Sequence, residues 1–296
     1  MRPVGRRYET VSFLSDFGTR DECVGVVKAV LRDLAPHARV IDLTHEIPPF
    51  DVRAGSLALA RAVPYVPAGV ILGVVDPGVG TDRRAVVIEV AGGDGVFVGP
   101  DNGLLAPAVA MAGGAERCVV LTNTQYHLEA PGATFAGRDV FASVAAHLCN
   151  GVDLSELGEP IEAELLLPGI VPLPRDEGDT ILCEVLWVDR FGNCQLNVGP
   201  DEIAPLGERL RVVVGLPAGA IGDPVVRIAA RVGTYAEVGV GAVGLVVDAS
   251  GMVSIVLDRR SAADELSVAA GDQVTLAPLG DDQARGVTSP VTLRRA

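Results

Sequence analysis

Val70-Ile71-Leu72-Gly73-Val74-Val75, followed at once by Asp76-Pro77-Gly78-Val79-Gly80, is the stretch on which the fold turns. An unbroken apolar run stopped by a Pro-Gly turn fits a strand buried on both faces of a parallel sheet. The same grammar recurs on either side. Residues 11–14 (Val-Ser-Phe-Leu) read as a strand ending in Ser15-Asp16-Phe17-Gly18, and residues 24–34 carry apolar side chains at helical spacing. A second short strand over 39–43 ends at Thr44-His45, and an alanine-rich helix follows over 54–63. Downstream, 85–90 begins another strand and 139–148 reads as a helix. Strands alternating with helices predict an α/β N-terminal domain with a mainly parallel sheet and helices on both faces. Ligands bind beyond the carboxyl ends of strands in such sheets. The polar clusters at 15–16, 44–45 and 76 are therefore expected on one rim.

The second half changes character. Pro168, Pro172 and Pro174, with Arg175-Asp176-Glu177-Gly178, form a proline-rich polar connector. Short Val- and Ile-rich runs follow at 181–188, 211–214, 244–247, 253–257 and 273–276, punctuated by Gly and Asp. They predict a smaller all-β barrel or sandwich. The domains then read as 1–170, a linker over 171–178, and 179–296.

Composition narrows the partners. The chain has 296 residues, 49% of them hydrophobic, which is ample for a core and excludes wholesale disorder. Its 24 Lys plus Arg against 38 Asp plus Glu leave a net charge of −14. That balance argues against nucleic-acid phosphates and anionic membranes but not against a small cationic ligand. The five cysteines are scattered without a C-x-x-C pair, so neither a disulfide framework nor a zinc site is expected, only isolated buried thiols. Residues 1–10 are charged and polar rather than leader-like, and the longest uncharged apolar run, around 238–247, is too short to span a bilayer. A cytoplasmic protein is expected.

Five clusters can carry chemistry, with the stretch at 97–103 appended to the third. Ser15-Asp16-Phe17-Gly18-Thr19-Arg20-Asp21 sets two carboxylates at a strand-to-helix turn, able to grip hydroxyls or a cation, or to cap the helix. Asp42-Leu43-Thr44-His45, with Phe50 after a double proline, offers a structural His and an aromatic for stacking or for the core. Asp76 to Arg84 concentrates a carboxylate, a glycine turn and two arginines, read as a site or as a turn with a surface ion pair. Phe97-Val98-Gly99-Pro100-Asp101-Asn102-Gly103 reads as a turn by composition. Thr134-Phe135-Ala136-Gly137-Arg138-Asp139 reads first as a helix start. Asp189-Arg190-Phe191-Gly192-Asn193 suits recognition of an amino acid or purine edge, or an Asx-type turn.

In this order and spacing, the clusters resemble the S-adenosyl-L-methionine hydroxide adenosyltransferase family, whose superfamily includes fluorinases and chlorinases. The resemblance runs from Leu14 to about Gly271 and rests on Ser-Asp-Phe-Gly, Asp-x-Thr-His, Val-Asp-Pro-Gly-Val-Gly-Thr-x-Arg-Arg, Pro-Asp-Asn-Gly, Thr-Phe-x-Gly-Arg-Asp and Asp-x-Phe-Gly-Asn. It implies a Rossmann-like N-terminal domain and a C-terminal β-barrel. It also implies hydrolysis of S-adenosylmethionine to adenosine and L-methionine by attack of water on the ribose C5′. No cofactor is implied, because S-adenosylmethionine is the substrate. The family assembles as a homotrimer with sites at subunit interfaces.

Carried over by motif, Asp76 orients the nucleophilic water, and Arg83 fixes that carboxylate or polarises the water. Asp16 takes the ribose hydroxyls and Phe50 packs near sugar or adenine. Asp21, with Cys23, lies toward the methionine end, while Thr134 and Phe135 line the C5′ region. Asp189, Phe191 and Asn193 bind the amino-acid and adenine ends, with Tyr235 stacking. One departure stands out. Family members usually carry His where this chain has Ala136, either through a deliberate replacement or because this branch works without that imidazole. A missing general base slows turnover by roughly 10²- to 10⁴-fold. His127 is the alternative imidazole. Two other readings follow: a non-catalytic protein that binds S-adenosylmethionine or adenosine, and a halogenase. The halogenases put Tyr where Asp76 stands, and a carboxylate there repels halide.

Overall fold

A computed structural model describes residues 8–215 and 224–279. The opening residues 1–7, residues 216–223 and the end of the C-terminal domain at 280–296 lie outside the described residues. Two units form, Met1–Val171 and Pro172–Ala296.

The first unit runs β1 (Thr10–Ser15), α1 (Cys23–Leu34), β2 (Arg39–Thr44), α2 (Val52–Ala62), β3 (Val70–Val74), β4 (Ala85–Val90), β5 (Gly95–Pro100), α3 (Ala106–Met111), β6 (Arg117–Val120), α4 (Ser143–Cys149) and β7 (Glu159–Pro160). The sheet order is β2-β1-β3-β5-β4-β6-β7. Strands β2, β1, β3 and β5 pair in parallel, whereas β4, β6 and β7 add antiparallel neighbours. All five residues of β3 are buried, as its apolar run predicts. The period-two alternation divides them between cores. Val70, Leu72 and Val74 pack with Phe13, Val27, Leu31, Phe141 and Leu148 on one face. Ile71 packs with Leu14, Leu59 and Leu104 on the other. Helix α1 buries Val27 and Leu31, one turn apart, and stops at Ala35 before Pro36. Helix α2 starts where the Asp51 side chain accepts the Ala54 N–H at 2.8 Å.

The stretch read as a turn, 97–103, needs correction at its start. Gly95–Pro100 is strand β5, parallel to β3 and antiparallel to β4, and only 101–103 turns. Its turn-like composition has a packing cause. A Cβ on Gly99 would sit 2.3 Å from the Gly73 carbonyl oxygen, so the two strands approach only with glycine there. Gly99→Ala is expected to destabilise the protein by about 3 kcal/mol, measured by urea unfolding, since forced overpacking costs that order. A change under 0.5 kcal/mol would show that this strand pair shifts freely.

The second unit contains β8 (Arg175–Asp176), β9 (Ile181–Val188), β10 (Cys194–Leu196), α5 (Pro200–Ile203), β11 (Arg209–Val214), β12 (Val225–Arg231), β13 (Val243–Val247), β14 (Val253–Leu257), α6 (Ala262–Leu266) and β15 (Gln273–Pro278). The order β10-β14-β13-β12-β11-β15-β9 closes on itself through a β9–β10 pairing, with β8 attached to β9. Of barrel and sandwich, the barrel is what forms. Its interior is read off alternating positions: Ile181, Cys183 and Val185 on β9, and Leu210, Val212 and Val214 on β11. Strand β8 falls inside the proline-rich connector.

All five cysteines are free; Cys118, Cys149, Cys183 and Cys194 are buried and Cys23 is half-buried. Burial pushes the Cys149, Cys183 and Cys194 thiols up to about 12, so they stay protonated and inert. Among the described residues no helix is long and apolar enough to cross a membrane.

Candidate active site

Because β2, β1 and β3 are adjacent and parallel, their carboxyl ends place Thr44-His45, Ser15-Asp16 and Asp76 on one rim. Hydrogen bonds tie the first two together. Ser15 Oγ lies 2.8 Å from His45 Nδ1, His45 Nε2 lies 3.1 Å from Asp42, and Lys28 donates to Asp42 at 2.8 Å. Ser15 is fully buried, so this Ser-His-Asp chain braces the rim rather than presenting a nucleophile. The structural reading of His45 is the one observed.

Asp16 anchors the next loop. Its Oδ2 accepts the Phe50 N–H at 2.9 Å, and Oδ1 has no hydrogen bond among the described residues. Phe50 has φ of +69°, a left-handed conformation that costs a non-glycine residue on the order of 1 kcal/mol, and its side chain is 71% exposed. Strain of this kind persists where the surroundings hold it, here the Asp16 carboxylate.

Asp76 follows β3 and is pinned by Arg83. Arg83 Nε donates to Asp76 Oδ1 at 2.9 Å, and a terminal nitrogen donates to Oδ2. The other terminal nitrogen donates to the Arg84 carbonyl at 2.9 Å, and the guanidinium lies 5.4 Å from the Phe141 ring centroid. The Asp76 side chain is only 6% exposed. Burial pushes its carboxyl above the ordinary carboxylate value; Arg83 opposes this and the nearby charge of Asp16 adds to it. The surface-ion-pair reading of this motif fails on that burial.

The Pro-Asp-Asn-Gly stretch braces the same point. Asn102 Nδ2 donates to the Val75 carbonyl at 2.9 Å while its Oδ1 accepts Leu104 N–H at 3.1 Å, fixing the peptide just before Asp76. Buried Asp101 takes Arg84 Nε at 2.8 Å and Leu167 N–H at 2.8 Å.

A wide π-type turn over Gly137–Ala142 leads into α4, in place of a plain helix start. Such turns recur at functional sites. A Cβ on Gly137 would lie 2.8 Å from Phe17 Cζ, so glycine lets the Ser-Asp-Phe-Gly loop close onto this turn. Asp16, Phe17, Pro49, Phe50, Asp76, Val79, Thr134, Phe135, Ala136 and Gly137 then line one cleft of about 260 Å³. Of the residues singled out in this half, Asp21 is exposed and outside that lining, and Arg83, also outside it, is bonded to Asp76 on its wall.

In the second unit, Asp189 Oδ1 accepts the N–H groups of Phe191 and Asn193, both at 2.8 Å, and Oδ2 accepts Asn193 Nδ2 at 2.8 Å. The Asx-type turn is thus present. Asp189, Phe191, Asn193 and Tyr235 line a cleft of about 620 Å³, with Phe191 74% and Tyr235 48% exposed. Arg259, Arg260 and Ser261 line it too. The signal that finds them is Ser261-Ala-Ala-Asp264, a helix-start pattern in which Ser261 Oγ accepts the Asp264 N–H at 3.0 Å. Among the described residues no group of His, Cys, Asp or Glu side chains is arranged to hold a metal ion.

Comparison with known proteins agrees with this architecture. Residues 11–158 match the SAM hydroxide adenosyltransferase N-terminal domain, and residues 183–275 match the SAM hydroxide adenosyltransferase C-terminal domain. An (R)-S-adenosyl-L-methionine hydrolase of Salinispora tropica is 45% identical over 89% of this chain and 96% of its own length. One from Thermus thermophilus is 41% identical over 90% of this chain and 98% of its own. A crystal structure of a conserved protein from Thermotoga maritima superposes with a TM-score of 0.81 at 34% identity, covering 90% of this chain and 99% of that one. With both domain models matched and the two-domain architecture shared, the chain belongs to the SAM hydroxide adenosyltransferase family.

Proposed function

We propose that this protein hydrolyses S-adenosyl-L-methionine to adenosine and L-methionine, with water attacking the ribose C5′. The observation that supports this most is Asp76, a buried carboxylate pinned by Arg83 on a cleft that Asp16 also lines. The leaving sulfur departs as a neutral thioether, so the chemical demand falls on the nucleophile. Asp76 accepts a hydrogen bond from the water and sets it in line with the C5′–S bond. Arg83 directs its donors to Asp76 and to a backbone carbonyl, which suits holding that carboxylate rather than touching the water. Asp16, with one oxygen on Phe50, offers the other to the ribose hydroxyls, and Phe50 packs beside sugar or adenine. Thr134 and Phe135 line the C5′ region, and Asp21 reaches the methionine end from its exposed loop. Phe191, Asn193 and Tyr235 take the amino-acid and adenine ends, on a loop shaped by Asp189. The names of the Salinispora and Thermus relatives support the same substrate. Asp76, with the charge of Asp16 near enough to help push its carboxyl up, favours a cationic sulfonium and a neutral nucleophile over a halide.

At about 260 Å³ the N-terminal cleft falls below the roughly 300 Å³ at which small-molecule pockets begin. Exposed Phe50, Phe191 and Tyr235 fit surfaces that a neighbour covers. The family resemblance adds a cytoplasmic homotrimer in which clefts of different protomers meet, and an incomplete cleft with exposed aromatics is compatible with that assembly.

Purified protein incubated with S-adenosylmethionine is expected to release adenosine and L-methionine in equal amounts, read by chromatography. Tight binding without release would replace hydrolysis with a binding function. Ala136 supplies no imidazole, so turnover is slowed. Ala136→His is expected to raise kcat by ~10-fold or more. An unchanged kcat would show that an imidazole at that position contributes nothing here.

A further inference from the structure

Hydrolysis at C5′ releases a proton from water, and both carboxylate oxygens of Asp76 already accept from Arg83. The chain has four histidines. His45 commits both ring nitrogens, to Ser15 and Asp42. His37 places Nε2 3.1 Å from the Cys149 carbonyl, at the far end of α4. His147 packs edge-on against Tyr126 with ring centroids 5.0 Å apart.

His127 is different. Its Nε2 is buried and has no hydrogen-bond partner among the described residues, a situation that ordinarily costs about 1–3 kcal/mol. Buried polar atoms left in this state call for an explanation in function. The backbone around it is fixed: His127 N–H donates to the Thr124 carbonyl at 3.1 Å, and Leu128 N–H to the Asp139 carbonyl at 2.8 Å. His127 lines a second cleft of about 680 Å³, together with Thr81, Arg83, Glu129, Ala136 and Asp139. Ala136 lines this cleft and the Asp76 cleft alike. Its side chain is a single methyl group.

We propose that His127 accepts the proton of the attacking water, from the side of the second cleft and across Ala136. This rests on the hydrolysis reading above. The step balances. The water oxygen bonds to C5′ as the C5′–S bond breaks, and the bonding pair leaves on sulfur to give a neutral thioether. One water proton passes to His127 Nε2, directly or through an intervening water, and the imidazolium gives up a proton to solvent once product has left. Burial lowers the affinity of the His127 ring for protons, so the ring is neutral and receptive near pH 7. The charged groups on the cleft walls are Arg83 from the turn after β3, Glu129 from the same loop, and Asp139 from the π-type turn. Asp139 is paired with Arg138, and Glu156 bonds the neighbouring Tyr126 hydroxyl at 2.9 Å. A neutral acceptor works only while unprotonated, so the rate falls as pH drops through its lowered pKa.

The test measures kcat, KM and the pH profile of the full chain for wild type, His127→Gln, His127→Asn, Ala136→His, and Ala136→His combined with His127→Gln. Both His127 variants are expected to lose about 10²-fold in kcat with KM changed less than threefold. They also lose the acidic limb that wild type shows below the ordinary histidine value of about 6.5. Ala136→His in the His127→Gln background restores kcat to within about tenfold of wild type, which a merely misfolded variant does not allow. A wild type that hydrolyses while both His127 variants keep its kcat and its acidic limb overturns the proposal. Failure of the rescue together with raised KM in both variants overturns it too, in favour of a structural role. A wild type that releases no adenosine defeats the hydrolysis reading itself, a separate result.

Discussion

Asp76→Asn is expected to lower kcat for adenosine release by about 10³-fold, with KM moved by no more than a few-fold. Asn has nearly the same shape, so the cleft survives, but it lacks the charge that turns a water lone pair toward C5′. The amide also presents an N–H₂ group to one of the two Arg83 nitrogens that now donate to Asp76. That leaves a guanidinium whose side chain is 11% exposed without its counter-ion. Breaking such a buried pair costs about 3 kcal/mol of stability, to be read by urea unfolding beside the kinetics. The two readouts separate the roles. A stability loss with kcat kept within tenfold would mean that Asp76 only braces the turn.

Asp16→Ala is expected to reduce kcat/KM by about 10³-fold, chiefly through KM, and Asp16→Asn by about 10²-fold. The reasoning is additive over two jobs. A carboxylate that grips a ribose hydroxyl contributes about 1.5–3 kcal/mol per charge-assisted hydrogen bond, lost in both variants. The second job is holding Phe50 at a positive φ through its N–H, which the Asn side-chain oxygen can still do and Ala cannot. Equal losses for Asn and Ala would show that the Phe50 conformation does not depend on Asp16. No rise in KM for either would remove Asp16 from the ribose site.

Much of this was legible because burial leaves a trace in sequence. The run at Val70–Val74 is buried on both faces, and the polar Asp76 follows directly after Val75, where the strand end reaches the rim. The rim of Asp16, His45 and Asp76 follows from parallel pairing alone. Gly95–Pro100 was obscured because two strands approach closely at Gly99, and glycine placed for contact looks like glycine placed for a turn. Val225–Arg231 escaped notice because its outward arginines break the apolar run. Barrel rather than sandwich depended on the β9–β10 closure, a long-range pairing that no local pattern encodes. In the site, residue types were readable and their commitments were not. Both oxygens of Asp76 going to Arg83, the positive φ of Phe50 and the unpartnered nitrogen of His127 arise only from packing.

Hydrolysis in H₂¹⁸O tests the central claim most directly, because attack of water on C5′ writes its oxygen into one product. Mass spectrometry of a complete single turnover is predicted to find one ¹⁸O in adenosine and none in L-methionine. Adenosine without label, or S-adenosylmethionine bound and recovered intact, would contradict the account.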